Sequence, residues 1–478
     1  MELLKALKLI GSCLVLLFPC KYPVAQEGGF AWRAGDHHIH SRYSVSWDRD
    51  SDPPTPIIGG DAIYPIHMNA LMAKYHGLDW MVSTDHGGPN HSKLNIESAY
   101  PELIESRLVV PEVIQFYGME FDTPGADHSS LIIPFTENEA QQLFELESRF
   151  SRREPWPSNS EWNSELRMLA ALRAMRNQNP QPLLIANHPS RSLRIEGEYR
   201  MDDPGELRSW NNTAPNVAVG MAGAPGHQAA TLNADGSIDF NAARGGYSGV
   251  STLGGFDQFT AKLGGFWDSM IGEGRNWWIT ANSDSHVHYS EGGSDFWPGE
   301  YSKTYVWSEK NHESIMDGIR NGRMFVTTGD LIDQLYLTVR TDNGSSASIG
   351  GRLMLNKEQA VTVTIRFREP KRTNANGDRP TVSRLDLILG EIIGPLQDDS
   401  IDFHASARVL ERFKADAWEI ISDYKQLSFE LPALTVNSYL RVRGTNTNEL
   451  EPQIDPRGEN PWSDLWFYSN PVRLTISQ

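Results

Sequence analysis

The chain has 478 residues, 39% hydrophobic and 22% charged, which is the balance of a soluble folded protein and too long for one ordinary domain. Its net charge of −18 argues against nucleic acid and anionic membranes as partners, because both are bound by neutralising phosphates. The 2 cysteines, Cys13 and Cys20, both precede residue 26, so disulfides and thiolate metal ligands are excluded from the rest of the chain.

The N-terminus reads as a leader. Lys5 and Lys8 precede an apolar run from Leu9 to Phe18, and Pro23-Val24-Ala25 offers small residues for cleavage. That is the layout of a secretory signal over residues 1–25, and it predicts an exported, periplasmic or secreted protein. Plain cleavage is favoured over lipid attachment at Cys20, because Leu17-Phe18-Pro19 is a poor approach to an anchored cysteine. Cleavage would leave the mature chain more negative still. No later segment approaches the roughly 18 apolar residues of a membrane span, so the mature chain is expected to have none.

Residues 30–330 alternate short apolar runs with helix-like stretches. The predicted strands are Asp79–Ser83, Val113–Gly118, Leu183–Ala186, Asn216–Gly220 and Trp277–Thr280. Between them, Glu165–Arg176 carries Leu166, Leu169, Leu172 and Met175 at helical spacing. Such alternation predicts an α/β fold with parallel strands. The Gly-rich stretch from Met221 to Gly265 has weak periodicity and is a candidate wall of a site, since long loops inside compact domains tend to be functional. Near residue 330 the texture changes. Leu335–Arg340, Ala360–Arg366, Leu385–Leu389, Leu427–Glu430, Tyr439–Val442 and Val472–Ile476 are short runs separated by turn residues. They predict a β-sandwich over residues 335–478.

Histidine carries the chemistry. Of the 14 histidines, all but His312 and His404 fall between His37 and His288. In Asp36-His37-His38-Ile39-His40-Ser41, strand alternation would point Asp36, His38 and His40 to one side. Two imidazoles so placed are suited to share a metal, with Asp36 orienting one of them. Four further clusters follow, each at the downstream end of a predicted strand: Thr84-Asp85-His86, Gly118-Met119-Glu120, Asn187-His188-Pro189 and Ser283-Asp284-Ser285-His286. In barrels of parallel strands the reactive residues gather at that end. One histidine after a strand is usually structural; five such clusters in order point to a metal site.

This ordered set resembles the polymerase and histidinol phosphatase (PHP) superfamily of metal-dependent phosphoesterases, over about residues 34–290. The resemblance implies a distorted seven-stranded barrel holding two to three divalent metals (zinc, manganese or iron). It implies His38, His40, His86, Glu120, His188, Asp284 and His286 as ligands. Asp48, with Asp50 as its rival, and His128 in Gly125-Ala126-Asp127-His128 are the candidates for two variable ligand positions. Ala224-Pro225-Gly226-His227-Gln228, Gly322–Gly329 and Tyr468-Ser469-Asn470-Pro471 are similar to the carbaryl-hydrolase-like branch, which brings His227 toward the site and widens the chemistry to carbamate and carboxylic esters.

Imidazole and carboxylate ligands suit zinc, iron or manganese. Clustered cations would give hydroxide from a bridging water near neutral pH, and this hydroxide is the expected nucleophile. Asp36 and Asp85 are candidate supporting residues of the reaction. Arg191, three residues after His188, is a candidate contact for a substrate oxyanion. The leading expectation is a hydrolase of small phosphoesters, ahead of a carbamate or carboxylic-ester hydrolase. A surface binding protein whose metals are only structural comes third.

Overall fold

A computed structural model describes residues 29–477, so the leader with Cys13 and Cys20 lies outside the described residues. The protein is a mixed α/β structure. Seven strands neighbour one another in chain order: Ala31–Ile39, Trp80–Ser83, Ile114–Asp122, His128–Ile132, Leu183–Ala186, Ala218–Ala224 and Trp278–Ala281. Pairing is parallel except on the two sides of His128–Ile132. Just past the last of these strands, Ser285 bridges back to Ile39 of the first, and Asp284 N donates to His38 O at 3.0 Å. The two ends of the set therefore meet.

Sequence reading found five of these strands near their observed bounds, and missed His128–Ile132. That strand is short, returns antiparallel from Ile114–Asp122 across a tight turn, and opens on three polar residues. Helix Glu165–Arg176 has the predicted bounds, but it buries Met168, Ala171, Leu172 and Met175 and leaves Leu166 exposed. Leu172 and Met175 lie on the expected buried face, while Met168 and Ala171 complete the stripe that Leu166 was expected to join.

The change of texture near residue 330 does not coincide with a break in the sheet. Ala31–Ile39 pairs antiparallel with Ser302–Ser308, that strand pairs with Met324–Thr328, and Met324–Thr328 pairs with Trp466–Ser469. Ser438–Thr445, Val472–Ile476 and Arg384–Glu391 continue the same sheet. A second, five-stranded antiparallel sheet is built around Gln334–Thr341, Val361–Arg368 and Tyr424–Leu431. Its inward Leu337, Val363 and Ile365 share an apolar core with Leu385, Val442, Phe467 and Leu474 of the large sheet. Asn470 fastens the two regions: its side chain accepts from Ile279 N at 3.0 Å and donates to Ile279 O at 3.2 Å. Among the described residues, no helix is long and apolar enough to cross a membrane.

A buried ion pair braces the loop after Trp80–Ser83. His91 Nδ1 lies 2.6 Å from Glu147 Oε1, and Nε2 lies 2.9 Å from Tyr43 O. Burial alone would lower the His91 pKa, but the Glu147 carboxylate holds it up at about 9. The raised folded value means that the contribution is fully present below the ordinary histidine pKa of about 6.5 and is lost as pH rises through about 9. His91→Gln is expected to cost roughly 3 kcal/mol near pH 6, progressively less between about pH 6.5 and about pH 9, and little above that. Urea melts of both proteins across that range check this. A cost that stays constant with pH would show that the pair does not titrate this way.

Candidate metal centre

The strand ends converge on one point. His38 and His40 come from the first strand and its extension, His86 from the turn after Trp80–Ser83, and Glu120 from Ile114–Asp122. His128 opens the antiparallel strand, His188 follows Leu183–Ala186, and Asp284 and His286 follow Trp278–Ala281. Parallel pairing brings the downstream ends of six strands to one end of the sheet, and the antiparallel strand starts there with His128.

Four overlapping groups of ligand atoms result. His38, His40, Glu120 and Asp284 form the centre; Glu120, His128 and His188 form one flank; His40, His86 and His286 form another; His227, Asp284 and His286 form the fourth. Glu120 and Asp284 each belong to two groups, as do His40 and His286. The distances are short. His40 Nε2 lies 2.9 Å from His38 Nε2 and 3.1 Å from Asp284 Oδ1, and His38 Nε2 lies 3.2 Å from Glu120 Oε1. Two imidazole nitrogens that close need a proton or a cation between their lone pairs.

The donor set fits a divalent metal. Every ligand is nitrogen or oxygen, and most are buried. The ring atoms Nδ1 of His38, His128 and His188 are buried without a hydrogen-bond partner. Burial would raise Glu120, but His128 and His38 beside it hold the carboxyl well below the usual range. Asp284 is likewise held low by His227 and His38 against its burial. Burial, with His286 nearby, keeps His40 far below the ordinary histidine value. The ionised carboxylate is the form that binds metal.

The supporting residues differ in part from expectation. Asp36 does not orient an imidazole: Oδ1 accepts from His38 N and Oδ2 from Ser283 N, each at 3.0 Å. It ties the first strand to the segment before Asp284. Burial pushes Asp36 up to about 7. Asp85 also acts through other residues. It accepts from Ser41 N at 2.5 Å, from Ser41 Oγ at 2.7 Å and from Ser44 Oγ at 3.2 Å. Ser44 Oγ in turn accepts from His40 Nδ1 at 2.7 Å, which leaves His40 Nε2 bare and facing the centre. Arg191 is at the site, with Nη1 3.3 Å from Asp284 Oδ2 and Nη2 2.8 Å from His188 Nε2.

Asp48 and Asp50 do not join the cluster. Asp48 ends a short exposed strand, Ser46–Asp48, and its carboxylate accepts from Asp50 N at 2.9 Å. The same excursion of chain instead brings Asp61 in, with Oδ2 2.8 Å from His86 Nε2 and 3.4 Å from His286 Nε2. Spacing from His40 selected the wrong aspartate because the intervening hairpin, Ser46–Asp48 with Thr55–Ile57, turns back on itself.

His227 is a full member of the site. Its Nε2 lies 3.0 Å from Asp284 Oδ2 and its Nδ1 2.5 Å from Asp295 Oδ1. Asp295, which no motif or spacing singles out, also accepts from His286 N at 2.7 Å. Gly226 permits this approach: a Cβ there would lie 1.9 Å from Asp284 Cβ. His188, His227 and Asp284 all adopt positive φ, at 31°, 55° and 49°. Non-glycine residues held there mark a locally strained backbone, and such strain clusters at functional sites. The cavity over the cluster holds about 340 Å³, and Arg191, Ser294 and Asp295 are among its walls.

No protein-family model and no curated protein matches the chain. Among solved structures, a chitin binding domain from Burkholderia pseudomallei aligns at 13% identity over 26% of this chain and 57% of that one, with a TM-score of 0.16. The fusolin spindles of Wiseana spp entomopoxvirus align at 14% identity over 26% of this chain and 40% of that one, with a TM-score of 0.15. Likenesses this slight carry no argument about fold or function.

Proposed function

We propose that the protein is a metal-dependent hydrolase of small phosphoesters, working with two to three divalent ions (zinc, manganese or iron). The observation that carries this reading is the sharing of Glu120, Asp284, His40 and His286 among four overlapping ligand groups, which makes one continuous multi-ion centre. In the same reading the ring of seven strands is a distorted PHP barrel, and the two facing C-terminal sheets are a β-sandwich.

Bound divalent ions would supply an acidified water and positive charge against a phosphoryl group. His38, His40, Glu120 and Asp284 would hold the central position, His128 and His188 one flank, and His86, His286 and Asp61 the other. Asp85, through Ser44, fixes the His40 ring, and Asp295 fixes that of His227. Arg191, a quarter exposed at the cavity wall, is placed to donate to a substrate oxyanion. A phosphoryl group offers several oxygens to such a set of cations and donors, whereas a planar carbonyl offers one.

The test compares an aryl phosphate with the matching aryl acetate and aryl methylcarbamate, at equal concentration with added manganese or zinc. The expected result is the highest kcat/KM on the phosphate. A clear preference for acetate or carbamate would replace phosphoester by carboxylic or carbamic ester as the substrate.

A further inference from the structure

The flank built from Glu120, His128 and His188 contains two carboxylates that the proposed chemistry does not use. Asp122 and His128 are directly opposite partners in the antiparallel pair Ile114–Asp122 and His128–Ile132. Asp122 is fully buried, and neither of its carboxylate oxygens has a hydrogen-bond partner. Oδ1 lies 3.4 Å from His128 Nε2 and 2.5 Å from Arg153 Nε. The other ring nitrogen, Nδ1, lies 3.2 Å from Glu120 Oε1 and is itself buried and unpartnered. The imidazole thus presents Nε2 to Asp122 and Nδ1 to the ligand group.

His188 has the opposite arrangement. Its Nε2 lies 3.3 Å from Glu120 Oε1, and its Nδ1 lies 3.5 Å from Asp127 Oδ2. A metal-bound imidazole is held in one tautomer when its second nitrogen donates to a carboxylate, and loss of that partner weakens the metal about 10- to 100-fold. Each imidazole of this flank therefore has its own carboxylate, reached from opposite ring nitrogens. The two carboxylates sit at either end of the turn between the paired strands.

We infer that Asp122 is a positioning residue for the metal centre, which sets His128 to bind through Nδ1, while Asp127 sets His188 to bind through Nε2. This rests on the metal-centre reading above but not on the bond that is cleaved. Nδ1 lies closer to the backbone than Nε2, so ligation through it suits a histidine on the strand next to Glu120, two positions along from the residue that Glu120 faces.

The test uses zinc alone. Competition with a chelator on the full chain should show that Asp122→Ala weakens one zinc equivalent about 10- to 100-fold. Asp122→Asn, which keeps an acceptor oxygen, should lose less. Nitrogen NMR of the zinc-loaded, histidine-labelled wild type, assigned with His128→Gln, should find His128 bound at Nδ1 and protonated at Nε2. That measurement stands even if Asp122→Ala fails to fold. Binding at Nε2, or unchanged zinc affinity in Asp122→Ala, would each overturn the inference. Failure of the wild type to bind zinc at all would overturn it together with the proposed function. Zinc bound through Nδ1 without phosphoester hydrolysis would overturn the proposed function alone.

Discussion

Glu120→Gln is expected to strip metal from the protein and to lower kcat/KM on an aryl phosphate by on the order of a thousandfold. Glu120 is the residue common to the central group and the His128–His188 flank. An amide is nearly the same shape, so packing survives; what disappears is the one anion facing His38, His128 and His188 together. Positive ions held among neutral imidazoles then lose the charge that offsets their mutual repulsion. Metal analysis of purified variant and wild type, with circular dichroism to confirm folding, reads the effect. Full metal content in a folded Glu120→Gln protein would remove Glu120 from the ligand set.

The second large effect lies far from the site. Arg441→Met is expected to destabilise the protein by about 3–5 kcal/mol, because it strands a buried carboxylate. Arg441 grips Asp268 with two bonds, Nε to Oδ1 at 2.9 Å and Nη2 to Oδ2 at 2.7 Å, with both side chains 1% exposed. Asp268 belongs to the short helix Phe266–Gly272, which leads into Trp278–Ala281 and so to Asp284 and His286. Tyr439 Oη also donates to Asp268, so the helix is fixed to the C-terminal sheet at two points. Replacing both charged partners together, as Arg441→Met with Asp268→Leu, should recover much of the loss, since no lone charge remains. Denaturant midpoints measure both. A cost below about 1 kcal/mol for Arg441→Met would place the pair among exposed, weakly contributing ion pairs.

The convergence of these side chains was largely legible in the sequence because they stand in short clusters at strand ends. His38, His40, His86, Glu120, His188, Asp284 and His286 all meet in space, as does His128. What could not be read was set by chain that wanders between strands. Asp61 arrives through a hairpin whose path no periodicity describes, and Asp295 sits in a loop with no repeating pattern. Asp36 and Asp85 lie beside the cluster, but their partners are backbone amides and serines, which spacing does not specify. The strand His128–Ile132 was hidden by its polar opening, and the texture change near residue 330 was real in composition while the hydrogen-bonded ladder ran straight across it.

Asn470 gives the chain an order of completion. The strand that leads to Asp284 and His286 is clasped by a residue almost two hundred positions later, and Met324–Thr328 waits for Trp466–Ser469 as its neighbour. During synthesis the first strands emerge long before those partners exist, and contacts so distant in sequence close slowly. The segment around Asn470 is thus a late-made latch on a candidate site whose side chains are synthesised well before it, and a nascent chain interrupted short of it holds its histidines without the frame that aligns them.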